Sequence, residues 1–173
     1  MHADQLVVVL GRKTGLEDAA ERVSEEFGDG PVVLGPVVEG LAQAGDSAAA
    51  ALAGLRAAAA WPDAPRPVPA DALLAERALD GDPIAHAQLQ ERVALPLQAA
   101  GREVLETVRA VLNSGGNLEA SARAIFVHPN TVRYRLKRAA ELTGLSVTDP
   151  RGSWTLQVAL ALAELDRDRS LWQ

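Results

Sequence analysis

Hydrophobic residues along the chain recur mostly at helical spacing, but two short β-branched runs stand near its start. QLVVVL at residues 5–10 and VVLGPVV at residues 32–38 predict strands, and the apolar spacing of residues 16–27 predicts a helix between them. This β-α-β order predicts a truncated α/β segment over residues 1–60. Two strands do not form a stable sheet alone, so the segment either takes strands from a partner chain or begins in the middle of a domain.

The middle of the chain is predicted to connect two better-patterned parts. Asp46 or Ser47 can cap an alanine-rich helix that ends before Pro62. Residues 61–73 contain four prolines, which predicts an irregular linker rather than a helix or strand. Short helices follow, one of them starting at Asp82-Pro83 and bending or stopping near Pro96. We therefore predict a proline-rich connector with linker helices over residues 61–100.

Residues 101–173 have the clearest periodicity, which predicts a bundle of short helices. Apolar positions in residues 103–114 form one stripe that ends at Ser-Gly-Gly, and Asn117 is placed to cap the next helix. A tight connection at Val127-His128 leads to Pro129, which opens a third helix running to Gly144. The second and third of these helices are separated by only a few residues, and three short helices arranged in this way form a helix-turn-helix pattern. The predicted fold class is mostly α, with a C-terminal helix-turn-helix bundle after the truncated α/β segment.

The last predicted helix, over residues 154–167, has more apolar surface than one packing face needs. We predict a stripe on one side and two flanking leucines, Leu156 and Leu160. The residues of the stripe are Trp154, Val158, Ala161, Leu162 and Leu165. This helix either completes the C-terminal core only or also forms a dimer contact.

The third helix of the pattern carries the candidate chemistry. At about 100° per residue Val132, Leu136, Ala139 and Thr143 share the side to be buried, and Arg135 lies near that side, where it can make an internal salt bridge. The remaining circumference is polar and basic, as in a helix that enters a DNA major groove. The alternative is that this basic face is simply solvated. The candidate DNA-binding residues are Asn117, His128, Asn130, Thr131, Arg133, Tyr134, Lys137 and Arg138.

The charge distribution favours DNA binding over a merely solvated face. The chain carries a net charge of −6, yet residues 101–151 hold eight basic and five acidic side chains, a net of +3. The rest has nine basic and 18 acidic side chains, a net of −9. An acidic remainder would be repelled by phosphate, which would orient the basic part toward DNA.

Other functional classes have little support in the sequence. The chain has no cysteine, which excludes disulfides and thiolate chemistry, and its histidines, His2, His86 and His128, are scattered without carboxylates at metal-ligand spacing. His128 is better explained as a cap of the third helix or a phosphate contact than as a catalytic base. We expect no enzymatic activity, cofactor or metal. No signal peptide or apolar run of membrane-spanning length is present, so we expect a cytoplasmic protein.

The motif over residues 115–162 resembles the C-terminal helix-turn-helix of the PucR/CdaR family of bacterial transcriptional regulators. The resemblance rests on NLEASA, FVHPNTVRYRL and ELTG. The segment is similar, more distantly, to Fis-type helix-turn-helices, where glycine is usual at the position of Phe126. The upstream residues look like the closing part of the degenerate GGDEF-like domain of that family. Residues 54–83 are similar to activators of fatty-acid biosynthesis genes, and these resemblances imply a regulator without cyclase activity.

We therefore predict a sequence-specific regulator that binds double-stranded DNA as a homodimer. Asn130, Arg133 and Tyr134 are expected at base edges, and Thr131, Lys137 and Arg138 at phosphates. The alternative left open is a dimerising protein-interaction module that modulates longer family members without binding DNA itself. The sequence indicates no effector.

Overall fold

The computed structural model describes residues 5–11 and 15–170. They are mostly helical, with one very small sheet, which confirms the predicted fold class. The chain divides by its internal contacts into two compact units, Met1–Asp82 and Pro83–Gln173. The proline-rich segment thus packs within the first unit and residues 83–100 within the second, while the three-part division into domains stays a prediction. His2 lies outside the described residues.

The first unit consists of short elements around one long helix. Its strands, β1 and β2, pair in parallel with Val33 opposite Val68 and Leu34 opposite Pro69. The helix between them packs on β1 and on the segment after β2. Single 3-10 turns at residues 41–43, 58–60 and 70–73 adjoin the helices. The elements are α1 (Leu16–Glu25), β1 (Val33–Leu34), α2 (Ala44–Ala57), β2 (Val68–Pro69) and α3 (Leu74–Leu79).

The core of this unit depends on a close approach of α2 to β1. Val68 and Leu73 are fully buried, and Val33 packs against them. A Cβ at Gly54 of α2 would come within 2.8 Å of the Val33 side chain, so only glycine lets the helix pack this closely. Arg77 is also buried, where it donates to Asp82 at 2.7 Å and to the Ala70 carbonyl at 3.2 Å.

Two predictions of local structure in the first unit are wrong, and a third holds in part. Residues 5–10 are not a strand, because no described segment pairs with them and most of their apolar side chains stay exposed, Leu6 by 72%. Residues 61–67 are irregular, as their prolines predict, but residues 68–69 form β2 and residues 70–73 form a 3-10 turn. Helix α2 begins before Asp46 and Ser47 rather than being capped by them. The Ser47 hydroxyl instead donates to the Pro36 carbonyl at 2.8 Å.

The second unit is all helical. A wide π turn at residues 90–94 joins its first two helices, and it accounts for how the chain continues through Pro96 instead of stopping there. The Leu95 N–H bonds to the Gln90 carbonyl one residue farther back than in an α-helix, and proline has no N–H to give to the usual partner. The helices are α4 (Pro83–Leu89), α5 (Leu95–Ala99), α6 (Arg102–Asn113), α7 (Leu118–Ala124), α8 (Pro129–Thr143) and α9 (Pro150–Ser170).

Helix α9 buries the predicted flanking leucines more fully than the predicted stripe. Leu156, Ala159 and Leu160 lie in the core. Of the stripe, Val158 is buried, whereas Trp154 and Leu165 are 38% and 53% exposed. Because this helix is apolar on both sides, its periodicity could not show which side faces inward. Whether the outer side forms a dimer contact stays a prediction.

Polar side-chain contacts tie α9 to the other helices of its unit. Asp166 contacts His86 of α4 at 2.7 Å and accepts from Gln90 of the π turn at 3.0 Å. Glu164 pairs with Arg109 of α6 and with Arg167. The guanidinium of Arg109, by donating to this carboxylate, holds the pKa of Glu164 below its usual value.

Candidate nucleic-acid interface

Helices α6, α7 and α8 pack on one another and form the three-helix arrangement predicted from the sequence. Ala122 of α7 is 2% exposed where the helices meet, so its small side chain allows a close crossing. After α7 the Val127 N–H bonds to the Ala122 carbonyl at 3.0 Å, which reverses the chain within a few residues. Phe126 has a φ of +55° in this turn, and its side chain is 95% exposed. This is the left-handed conformation for which glycine is usual.

Side-chain caps fix the starts of both helices of the motif. The Asn117 amide oxygen accepts from the Ala120 N–H at 2.9 Å, as predicted for the N-cap of α7. The Nδ1 atom of His128 accepts from the Asn130 N–H at 3.1 Å and caps α8, with Pro129 at its first position. Since Nδ1 accepts, the neutral ring carries its proton on Nε2. Both capping predictions are confirmed.

The side of α8 that faces the bundle is the predicted one. Val132 and Ala139 are buried, and Leu136 and Thr143 are half-buried beside them. Arg135 turns inward: its guanidinium pairs with Glu103 and donates to the buried hydroxyl of Thr107 at 3.3 Å. The internal salt bridge predicted for Arg135 is therefore present, and this cation anchors α8 to α6.

The opposite side of α8 presents the candidate DNA-binding side chains to solvent. Five of them are exposed, Asn130, Arg133, Tyr134, Lys137 and Arg138, and Thr131 is half-buried. The Arg133 guanidinium donates to the Asn130 amide oxygen at 2.8 Å, so two predicted base-contacting side chains are bound to each other. Cationic and hydrogen-bonding groups on one exposed helical face are what contact with base edges and phosphates requires.

Two features of this surface were missed by the sequence reasoning. Glu141 is exposed on the same side of α8 and lies 3.5 Å from Arg138, which places a negative charge at the C-terminal half of the face. Glu141 follows Asn130 by eleven residues and Tyr134 by seven, which are about three and two helical turns. This spacing could have indicated that Glu141 shares their side of the helix. The loop after α8 also lies beside Lys137, but loop positions have no periodicity from which to predict this. Glu141 therefore reduces the positive charge of the last turn of α8.

The described residues contain no group of three or more His, Cys, Asp or Glu placed to hold a metal ion. None of the helices that can be described is both long and apolar enough to cross a membrane.

A family of known proteins has a helix-turn-helix domain that matches the part of the chain containing the tight turn and the capped, basic helix α8. Residues 104–162 match the model of the PucR C-terminal helix-turn-helix domain. The match begins in α6 and ends in α9, so it includes α7, the tight turn and α8. The PucR-type helix-turn-helix resemblance stated from the motifs is thereby confirmed for this part of the chain.

Similar proteins occur in Mycobacterium and in Bacillus. An uncharacterized protein of Mycobacterium tuberculosis is 45% identical over 167 residues, which are 96% of this chain and 40% of that protein. The purine catabolism regulatory protein of Bacillus subtilis is 34% identical over 68 residues, 39% of this chain and 13% of that protein. This chain therefore spans less than half the length of these relatives.

The fold is also similar to a solved structure. A regulator of polyketide synthase expression from Bifidobacterium adolescentis matches with a TM-score of 0.71 and 42% identity. The match covers 79% of this chain and 55% of that one. Similarity over so much of the chain extends beyond the PucR-type domain alone.

Proposed function

We propose that this chain is the DNA-binding part of a sequence-specific transcriptional regulator. The observation that carries the proposal is the exposed, cationic face of α8 on a helix-turn-helix whose caps and core fix its orientation. In this proposal α8 enters the major groove, with Asn130, Arg133 and Tyr134 at base edges. Thr131, Lys137 and Arg138 contact phosphates, and Asn117 and His128 flank them while they cap their helices.

We propose that the regulator binds as a homodimer. One helix in a major groove contacts only a few base pairs, so a dimer on two half-sites about 34 Å apart would give a longer specific site. The outer side of α9, with Leu165 53% exposed, offers apolar surface for such a contact. The same surface suits the alternative, a dimerising module that acts on longer relatives without binding DNA.

The regulated genes belong to the same proposal. We propose that the first unit is the closing part of a degenerate GGDEF-like domain and that the targets include fatty-acid biosynthesis genes. The solved relative named for polyketide synthase expression supports this choice, because polyketide and fatty-acid synthases both extend acyl chains. The relative named for purine catabolism matches a smaller part of the chain.

A mobility-shift selection from random duplexes, at two salt concentrations, tests the proposed function. We expect the full chain to retain a duplex with two related half-sites, with weaker binding at the higher salt because phosphate contacts release counterions. Retention of no sequence, together with a dimer in light scattering, would contradict DNA binding and favour the interaction module. Fragments upstream of fatty-acid, polyketide and purine genes in the same assay test the target class.

A further inference from the structure

A small hollow with a basic and hydroxylic rim lies against one side of α8. Its volume is about 230 Å³, and the half-buried Leu136 and the buried Val147 form part of its lining. Its charged lining residues, Arg133 and Lys137, are both cationic, and the hydroxyl-bearing side chains of Ser146 and Thr148 line its other edge. A hollow lined in this way suits an anion that accepts hydrogen bonds.

The loop after α8 holds these two hydroxyls in place. The Ser146 and Thr148 oxygens are 2.8 Å apart, and the Thr148 N–H donates to the Ser146 hydroxyl at 3.2 Å. Val147 between them is 7% exposed, which fixes the loop to the core. The rim is therefore ordered before any ligand arrives.

The start of α9 gives the loop a second support. A Cβ at Gly152 would overlap the backbone carbonyl oxygen of Ser146, so the loop can lie this close to α9 only because residue 152 is glycine. The Asp149 carboxylate accepts from the Gly152 N–H at 2.7 Å, and the Asp149 N–H bonds to the Ser146 carbonyl at 3.3 Å. These contacts hold the loop against α9 without using the Ser146 and Thr148 hydroxyls.

The place of the hollow relative to α8 indicates which anion it receives. Asn130 and Lys137 lie on the most exposed side of α8. At about 100° per residue Arg133, Leu136 and Ala140 lie together on one flank of that side. The N-terminal residues of a helix in a major groove contact base edges, so the third turn of α8, where Lys137 lies beside the hollow, is expected near a sugar-phosphate strand. Leu118, at the start of α7, also lines the hollow, so it is bounded by α7, α8 and the loop.

We propose that this hollow is a phosphate subsite for the DNA strand that flanks α8. Lys137 pairs with a backbone phosphate, and the hydroxyl pair of Ser146 and Thr148 donates to it. One of the two hydroxyl protons bonds the partner oxygen, so the pair keeps one O–H for the phosphate. The subsite rests on the proposed DNA binding and extends the contact surface from α8 to the following loop.

The test uses the full chain and a duplex retained by the selection, with Ser146→Ala combined with Thr148→Val. We expect the double variant to bind both this duplex and an unrelated one about tenfold more weakly, as for loss of a hydrogen bond to a charged group. Its salt slope should equal that of the parent because hydroxyls neutralise no phosphate charge. Lys137→Ala should instead reduce the slope by about 0.9. Thr155→Val, whose hydroxyl donates to the Arg151 carbonyl at 2.9 Å, is the matched control.

Neutral methylphosphonates placed singly along the duplex locate the contact. We expect one position in each half-site to weaken the parent but to have little further effect on the double variant. Thr148→Ser alone, which keeps both hydroxyls, should retain parental affinity, and urea unfolding of each variant separates binding from folding. Parental affinity in a folded double variant, or equal losses at every phosphate, would overturn the subsite alone. A parent that binds no duplex would overturn the proposed function and the subsite together.

Discussion

The Arg133 guanidinium donates to the Asn130 amide oxygen at 2.8 Å, so two side chains proposed to contact bases are bound to each other in the free protein. This bond restricts the rotamers of both, which lowers the entropy lost when they meet DNA. If contact with DNA breaks this bond and the base pair offers no hydrogen bonds in its place, the Arg133 guanidinium and the Asn130 amide are both left without a partner. The pair can thus contribute to discrimination through the cost of a mismatched site as well as through the contacts at a matched one.

Arg133→Ala should weaken binding to the selected duplex by about 1 to 3 kcal/mol, the usual discrimination of a side chain that contacts a base. Competition between selected and unrelated duplexes in a mobility-shift assay measures this loss. Arg102→Ala is the control, because Arg102 has a side chain 89% exposed on α6 and pairs only locally with Glu106. An equal loss on all sequences would show that Arg133 contacts phosphate instead.

Arg135→Ala should lower the free energy of unfolding by about 2 kcal/mol, because Arg135 links α8 to α6 through Glu103 and the buried Thr107 hydroxyl. Urea unfolding measures this change. Arg138→Ala removes an exposed cation 3.5 Å from Glu141 and should change stability by less than about 0.5 kcal/mol. If the two variants unfold alike, Arg135 does not anchor the helix.

His128→Ala should destabilise the second unit by about 1 kcal/mol through loss of the N-cap of α8. His128→Asn offers a side-chain acceptor in the same place and should restore most of that loss. Thermal unfolding followed by circular dichroism distinguishes the two. If the asparagine variant recovers stability but not DNA affinity, the imidazole Nε2–H contributes to binding directly.

Phe126→Gly should stabilise the chain by about 0.5 to 1 kcal/mol, because φ is +55° there and the exposed ring loses little packing. Gly144→Ala, at a φ of +70°, should destabilise it by about 1 kcal/mol. Both values come from the midpoints of urea unfolding. Destabilisation of the Phe126 variant would mean that the ring makes a contact worth more than the backbone strain.

Glu164→Gln should reduce the pH dependence of stability below neutral pH. Because Arg109 lowers the folded-state pKa of this carboxyl, its stabilising contribution is present above the unfolded pKa and is lost as pH falls through the folded pKa. The parent should therefore be the more stable protein near pH 7, and the difference should shrink on acidification. Parallel curves from pH 7 to pH 3 would show that the pair contributes nothing.

The sequence predicted the second unit far better than the first. In residues 102–144 the helical stripes, the caps at Asn117 and His128 and the inward turn of Arg135 all agree with the structure, because local periodicity and capping chemistry determine them. In residues 5–10 the β-branched composition favoured a strand, but a strand also needs a neighbour, which composition does not report. In α9 two apolar sides competed, and only the packed structure shows that Leu156 faces inward.

Within the candidate site, too, some features follow from local periodicity and others do not. The exposed side of α8 follows from the positions of Val132 and Ala139, so its polar residues could be predicted. The hydrogen bond from Arg133 to Asn130 and the hollow beside the loop depend on rotamers and on the path of residues 145–149. Neither rotamers nor loop paths are fixed by spacing along the chain.

The close approach at Gly152 has a consequence for how related sequences should differ. Steric overlap with the Ser146 carbonyl excludes any side chain at position 152, whatever DNA the protein binds. Residues 130 and 133 meet no such restriction, since their side chains are exposed. Among relatives with different target genes, residue 152 should therefore remain glycine while the pair at 130 and 133 varies together. Such covariation would identify the base-contacting positions by a route independent of binding assays.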